Sequence, residues 1–175
     1  MFSNLSKDGG RIHDGGRAQD GVGLLTSILS RYAEVGSVHY WCEQQALKFT
    51  FMITHPQEAS SIQNILKPAV EFFHQLEGRK MKVFDITCRS EENMCVITVT
   101  RDVDSMTQRE VGLIVELLKR KYPKQLVYDE IYLPEEELIF QEDMISQMLY
   151  SIQNDNMDKN VVALREEGRV LVFKS

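Results

Sequence analysis

The alternation across Ala46 to Ile53 constrains this chain more than any other feature. Leu47, Phe49, Phe51 and Ile53 fall on one side of an extended backbone, and Lys48, Thr50, Met52 and Thr54 on the other. This is the period-2 pattern of a strand with one face in a core, and such a strand needs neighbours whose patterns match its own. Upstream, Ser37 to Trp41 supplies one. With Trp41 set against Ala46, Tyr40 meets Leu47 and Val38 meets Phe49, so the apolar side chains of both strands share one side. Downstream, Lys80 to Arg89 and Met94 to Arg101 form a hairpin. With its turn centred between Glu91 and Glu92, Cys88 lies opposite Cys95, Ile86 opposite Ile97 and Phe84 opposite Val99.

Helical stripes separate these hairpins. Ile62, Ile65, Leu66, Ala69, Val70, Phe73 and Leu76 recur at helical spacing between Thr54 to Pro56 and Gly78. Thr54 and Gln57 have capping-box spacing, and Pro68 predicts a kink or break by removing a hydrogen bond to the carbonyl of Asn64. Thr107 and Glu110 open the next helix, whose stripe is Val111, Ile114, Val115 and Leu118, and Pro123 stops it. Gln125 to Leu133 reads as another strand. Pro134 opens a helix through Tyr150, with Leu138, Ile139, Ile145, Met148, Leu149 and Ile152 along it. The chain ends in a ribbon of Val161 to Arg165 and Arg169 to Phe173 around a three-residue loop, Glu166 to Gly168; a ribbon this small must pair or pack against the body or another subunit.

These elements predict an α+β protein with a mostly antiparallel sheet and helices on one face. Residues 46–133 alone have the ferredoxin-like split β-α-β order. An alternative is two hairpin-helix units side by side, Ser37 to Leu76 and Lys80 to Lys121. The ferredoxin-like order makes Ser37 to Trp41 compete with Gln125 to Leu133 for one edge of Ala46 to Ile53. Residues 22–175 form one domain on this reading, with the C-terminal helix and hairpin in 134–175. Residues 1–21 are a flexible glycine-rich leader, and a first helix runs from Val22 to Tyr32.

Composition limits function more than it defines it. The net charge of -6 argues against a protein that binds nucleic acid by neutralising phosphates. Three cysteines, Cys42, Cys88 and Cys95, and the lack of an apolar run long enough to span a bilayer point to a reduced, cytoplasmic protein without membrane attachment. Each motif with possible chemistry has a plainer reading. Gly21-Val22-Gly23 lacks the preceding strand that aims a phosphate loop. Cys88 and Cys95 are small core residues on an apolar face. Lys119, Arg120 and Lys121 complement a helix C-terminus. Seven acids between Asp129 and Asp143 lack the alternating oxygen ligands and glycine of a calcium loop. The four histidines, His13, His39, His55 and His74, are scattered; the best catalytic group, His55 with Asp102 and Asp104, falls at opposite sheet ends. No catalytic residue, cofactor or metal ligand is assigned.

The expectation is therefore a non-enzymatic module that binds itself or another protein through the open face of the sheet. Trp41, Thr50, Met52, Thr98 and Phe173 are its candidate residues. The alternative is a small-molecule sensor, its ligand held between the open face and the fourth helix.

Overall fold

The computed structural model describes residues 12–55 and 59–175. Its centre is β2 (Ala46–Thr54), whose Leu47, Phe49, Phe51 and Ile53 are all buried, as the alternation requires. β1 (Ser37–Trp41) pairs with it in the register read from the sequence, Trp41 with Ala46 and Val38 with Phe49. On its other side lies β4 (Met94–Asp102), which in turn pairs with β3 (Phe84–Glu91). The chain closes with β5 (Val161–Glu166) and β6 (Arg169–Lys174); β5 joins the outer edge of β1. The result is one antiparallel sheet of six strands in the order β3-β4-β2-β1-β5-β6.

The competition for the edge of β2 ends in a division. β1 takes Ala46 to Thr50, and Gln125 to Val127 takes what is left through the Ile53 to Leu126 bridge and two backbone hydrogen bonds of 2.9 Å, Thr54 to Gln125 and Val127 to Met52. Gln125 to Leu133 is therefore not a strand of the sheet. The ferredoxin-like order does not appear, because β1 occupies the place its last strand would fill. The hairpin-helix units do lie side by side, through β2 and β4.

The β3-β4 hairpin is displaced by two residues from the expected register. Its loop is Glu92 and Asn93, so Ser90 faces Cys95, Cys88 faces Ile97 and Ile86 faces Val99. A two-residue slip keeps every side chain on its face, so the core is unchanged while the two thiols become diagonal neighbours. The last hairpin likewise turns on two residues, Glu167 and Gly168, both with positive φ, as a primed turn requires.

The helices cover the apolar face. α1 (Ile12–Arg31) begins ten residues before the expected start, within the stretch read as a leader. Gly21 and Gly23 lie inside it, against Met157 and Met148. They are points of close approach, not a phosphate loop. α2 (Gln63–Leu76) is preceded by a 3-10 turn at Ala59–Ile62, so it starts later than the capping pattern implied; Gln57 and Pro56 lie outside the described residues. It runs through Pro68 without a break and ends before Gly78, whose φ is +66°. α3 (Gln108–Lys121) has Thr107 as its cap, accepting the Glu110 amide at 3.2 Å. α4 (Glu135–Asn154) packs on α1 and buries Ile145, Leu149 and Ile152, but leaves Ile139 half exposed. None of the described helices is long and apolar enough to cross a membrane.

Candidate interaction surface

The helices cover one side of the sheet, and antiparallel pairing fixes what appears on the other. One row across all six strands reads Phe173, Val162, His39, Lys48, Thr100 and Asp85. The next reads Leu171, Leu164, Ser37, Thr50, Thr98 and Thr87. Met52 and Val96 pair in the row after that, and Trp41 lies beyond His39 on its own strand. All five candidate residues therefore lie on one face. Thr50 and Thr98 are direct cross-strand neighbours, Met52 is two residues along, and Phe173 is at the β6 edge, 55% exposed.

Trp41 is held by its neighbours. His39 stacks on it with ring centroids 5.4 Å apart and planes 18° from parallel, and the Lys48 ammonium lies 5.4 Å from its ring centre. Burial and then the charge of Lys48 lower the His39 pKa. Beside this stack a hollow of about 220 Å³ opens between Trp41, Gln44, Lys48, Asp85, Thr98 and Thr100. No described element lies over the face. α4 packs against α1 on the opposite side, and the terminal hairpin extends the sheet instead of folding across it. The expected ligand position between the open face and the fourth helix thus does not exist.

The densest group of charges is inside the molecule. Arg101, Asp102, Glu110, His74 and Ser105 are buried together where β4 runs into α3. The Arg101 guanidinium donates to both Glu110 oxygens, to Asp102 Oδ1, to the Val83 carbonyl at 2.8 Å and to Ser105 Oγ at 3.0 Å. His74 Nε2 is 3.0 Å from Glu110 Oε2. Asp102 accepts the Lys82 and Val83 amides on one oxygen, and the Ser105 amide and hydroxyl on the other. Its pKa is lowered to about 2: burial pushes it up, but hydrogen bonds from Ser105 and Val83, the Arg101 charge and the Lys82 amide outweigh that. The network locks the end of β4 to α2, α3 and the 77–83 connection. Its groups are buried and bonded to one another, which is the geometry of a structural joint.

Sequence reading missed this joint. His55, the histidine set beside Asp102 and Asp104, sits at the Met94 end of β4, where its amide bonds the Asn93 carbonyl at 2.7 Å; Asp102 is at the other end. Glu110 stands at capping-box spacing from Thr107, yet its carboxylate turns inward to Arg101. Nor do the acids from Asp129 to Asp143 converge. Among the described residues, no group of three or more His, Cys, Asp or Glu side chains is placed to hold a metal ion.

A second surface feature is a cleft of about 280 Å³ where the start of β1 meets the segment after Leu126, lined by Ser37, Thr50, Met52, Val127, Asp129 and Arg165. Arg165 Nη2 reaches the carbonyls of Leu29, Tyr32 and Val35, closing the C-terminus of α1. Its Nε is 3.4 Å from Asp129 Oδ2, and both atoms are buried without a hydrogen bond. No family model, curated protein or solved structure matches this chain.

Proposed function

We propose that the chain is a non-enzymatic binding module that associates with protein, a second copy of itself first, through the open face of the sheet. The observation that carries this reading is the uncovered face itself, with Trp41, Met52, Val96, Val162, Leu164, Leu171 and Phe173 among threonines. Six strands spaced about 4.8 Å apart, rising about 3.3 Å per residue, give a footprint of roughly 600 Å². That approaches the roughly 800 Å² per partner of a standard interface. Charge supports a second copy. Lys48, Arg89 and Arg169 balance Asp85, Glu91 and Glu166 on this face, so two copies can meet there without opposing the chain's net charge of -6.

The test is sedimentation of the full chain with Trp41→Ala and with Thr98→Arg, which puts a cation at the centre of the face. Both should weaken association at least tenfold while the circular dichroism spectrum is kept. Unchanged association would remove the face from consideration. The cleft beside Arg165 favours a second reading, ligand binding, because the buried Arg165 Nε and Asp129 Oδ2 that face each other there at 3.4 Å form an ion pair without a hydrogen bond. Saturable thermal stabilisation by a metabolite, lost in Asp129→Ala, would support it.

A further inference from the structure

The two outer edges of the sheet are built differently. β3 is screened: Asp85, Arg89 and Glu91 are exposed along it, and Gln63 of α2 donates its side-chain amide at 2.8 Å to the Ile86 carbonyl, which points away from β4. Charges and a covering side chain are the usual means of blocking an edge. β6 has neither along its middle. Between Arg169 and Lys174 it carries only Val170, Leu171, Val172 and Phe173, without proline, glycine or bulge.

Its backbone polarity follows from the ladder. Asn160 and Ser175 exchange both hydrogen bonds, at 3.2 and 3.0 Å. Counting back in twos, Phe173, Leu171 and Arg169 bond inward to β5, so Val170, Val172 and Lys174 aim their N-H and C=O groups outward. Among the described residues, nothing takes these groups.

We propose that β6 pairs antiparallel with β6 of a second copy, joining two sheets into one of twelve strands. A two-fold axis normal to the sheet keeps each copy's open face on the same side, so facing residues must share a face. That excludes setting Arg169 against Lys174. The register centred on Leu171 puts Leu171 beside its own copy, Val170 beside Val172, and the Arg169 guanidinium beside the Phe173 ring, an arrangement that attracts. Main-chain bonds to the outward amides supply the rest. This contact is separate from packing through the open face; it rests on the same reading of a self-associating module but uses different groups.

The experiment compares the full chain with Val172→Pro and Thr98→Arg by sedimentation across a concentration series, with amide hydrogen exchange of the wild type alongside. Val172→Pro removes an outward N-H that the β5 ladder does not use; it also gives up part of the Val172 packing against the core, so a circular dichroism spectrum unchanged from the wild type is required before its association is read. The expected result is an associating wild type, with association at least tenfold weaker in Val172→Pro through loss of the edge contact and in Thr98→Arg through loss of the open-face contact. Protection of the Val170, Val172 and Lys174 amides should rise with protein concentration. If Val172→Pro associates like the wild type and Thr98→Arg does not, edge pairing is overturned and the open face stands. If both variants lose association, the amides decide: concentration-dependent protection supports the edge, and its absence overturns it. A wild type that stays monomeric overturns both readings.

Discussion

Replacing Arg101 by methionine tests whether the buried joint is what fixes the end of β4. Methionine fills much of the same volume but cannot donate. The substitution deletes the donors to Glu110, Asp102, Val83 and Ser105 at once. Asp102 keeps four other donors, from Lys82, Val83 and Ser105. Glu110 does not: it is fully buried, and among the described residues only His74 remains within reach. Removing one partner of a buried pair costs about 3–5 kcal/mol, since a charge is left without compensation. Against a total stability of about 5–15 kcal/mol, that is a large share. With a urea dependence of about 2 kcal/mol per molar, the unfolding midpoint should fall by about 2 M, read from circular dichroism. Adding Glu110→Leu removes the orphaned charge, so the double variant should regain about 1–3 kcal/mol. A midpoint shift below about 0.5 M in Arg101→Met, or a double variant whose loss is the sum of the singles, would refute the account of Arg101 as a buried, shared counter-charge.

The same joint predicts acid behaviour. Asp102 is held at about 2 against 3.8 for an ordinary aspartate; since the folded value is the lower one, it contributes roughly 2 kcal/mol above about pH 4 that disappears as pH falls towards 2, and Asp102→Asn should flatten this part of the stability profile. Burial, followed by the neighbouring Cys95, pushes the Cys88 thiol up to about 11; alkylation of Cys88 in the folded protein at pH 8, followed by peptide mass spectrometry, should be about a hundredfold slower than in urea. Gly21→Ala brings a Cβ within 2.1 Å of the sulfur of buried Met157 and should cost about 1–3 kcal/mol in thermal unfolding. Gly23→Ala meets Met148, which is only partly buried and can swing aside, so its cost should be offset by the helix gain of about 1 kcal/mol.

Where the sequence could be read, and where it could not, follows from what periodicity conserves. The β1-β2 register came out as expected because Tyr40, Val38, Leu47 and Phe49 admit one apolar match across a four-residue loop. The β3-β4 register did not, because a slip of two residues leaves both faces intact and periodicity cannot detect it. The buried joint does leave a signal in the sequence. Arg101 continues the inward series Cys95, Ile97 and Val99, and His74 continues Leu66 and Val70 at four-residue spacing. Polar residues at apolar positions on two elements, with Glu110 opening a third, mark a buried network. The glycines of α1 misled for a related reason. Gly21 and Gly23 suggest a loop by propensity, but packing of Met157 and Met148 against them favours the helix.

The open face and the free edge have a common origin in the lengths of two strands. β2 runs nine residues and β1 only five, so β1 cannot cover the edge of β2 from end to end. The remainder takes Gln125 to Val127, and that pairing draws the chain after α3 along the end of the sheet instead of across its face. From there it enters α4 on the helical side, where α1 offers an apolar surface. With α4 committed to α1, and β5 and β6 committed to extending the sheet beyond β1, no described segment is left to cover Trp41, Thr98 and their neighbours. Each added strand also moves the free edge outward, from β1 to β5 to β6. That edge carries the least charged strand of the outer pair, and so the short first strand decides both which face stays open and which backbone groups remain to be paired.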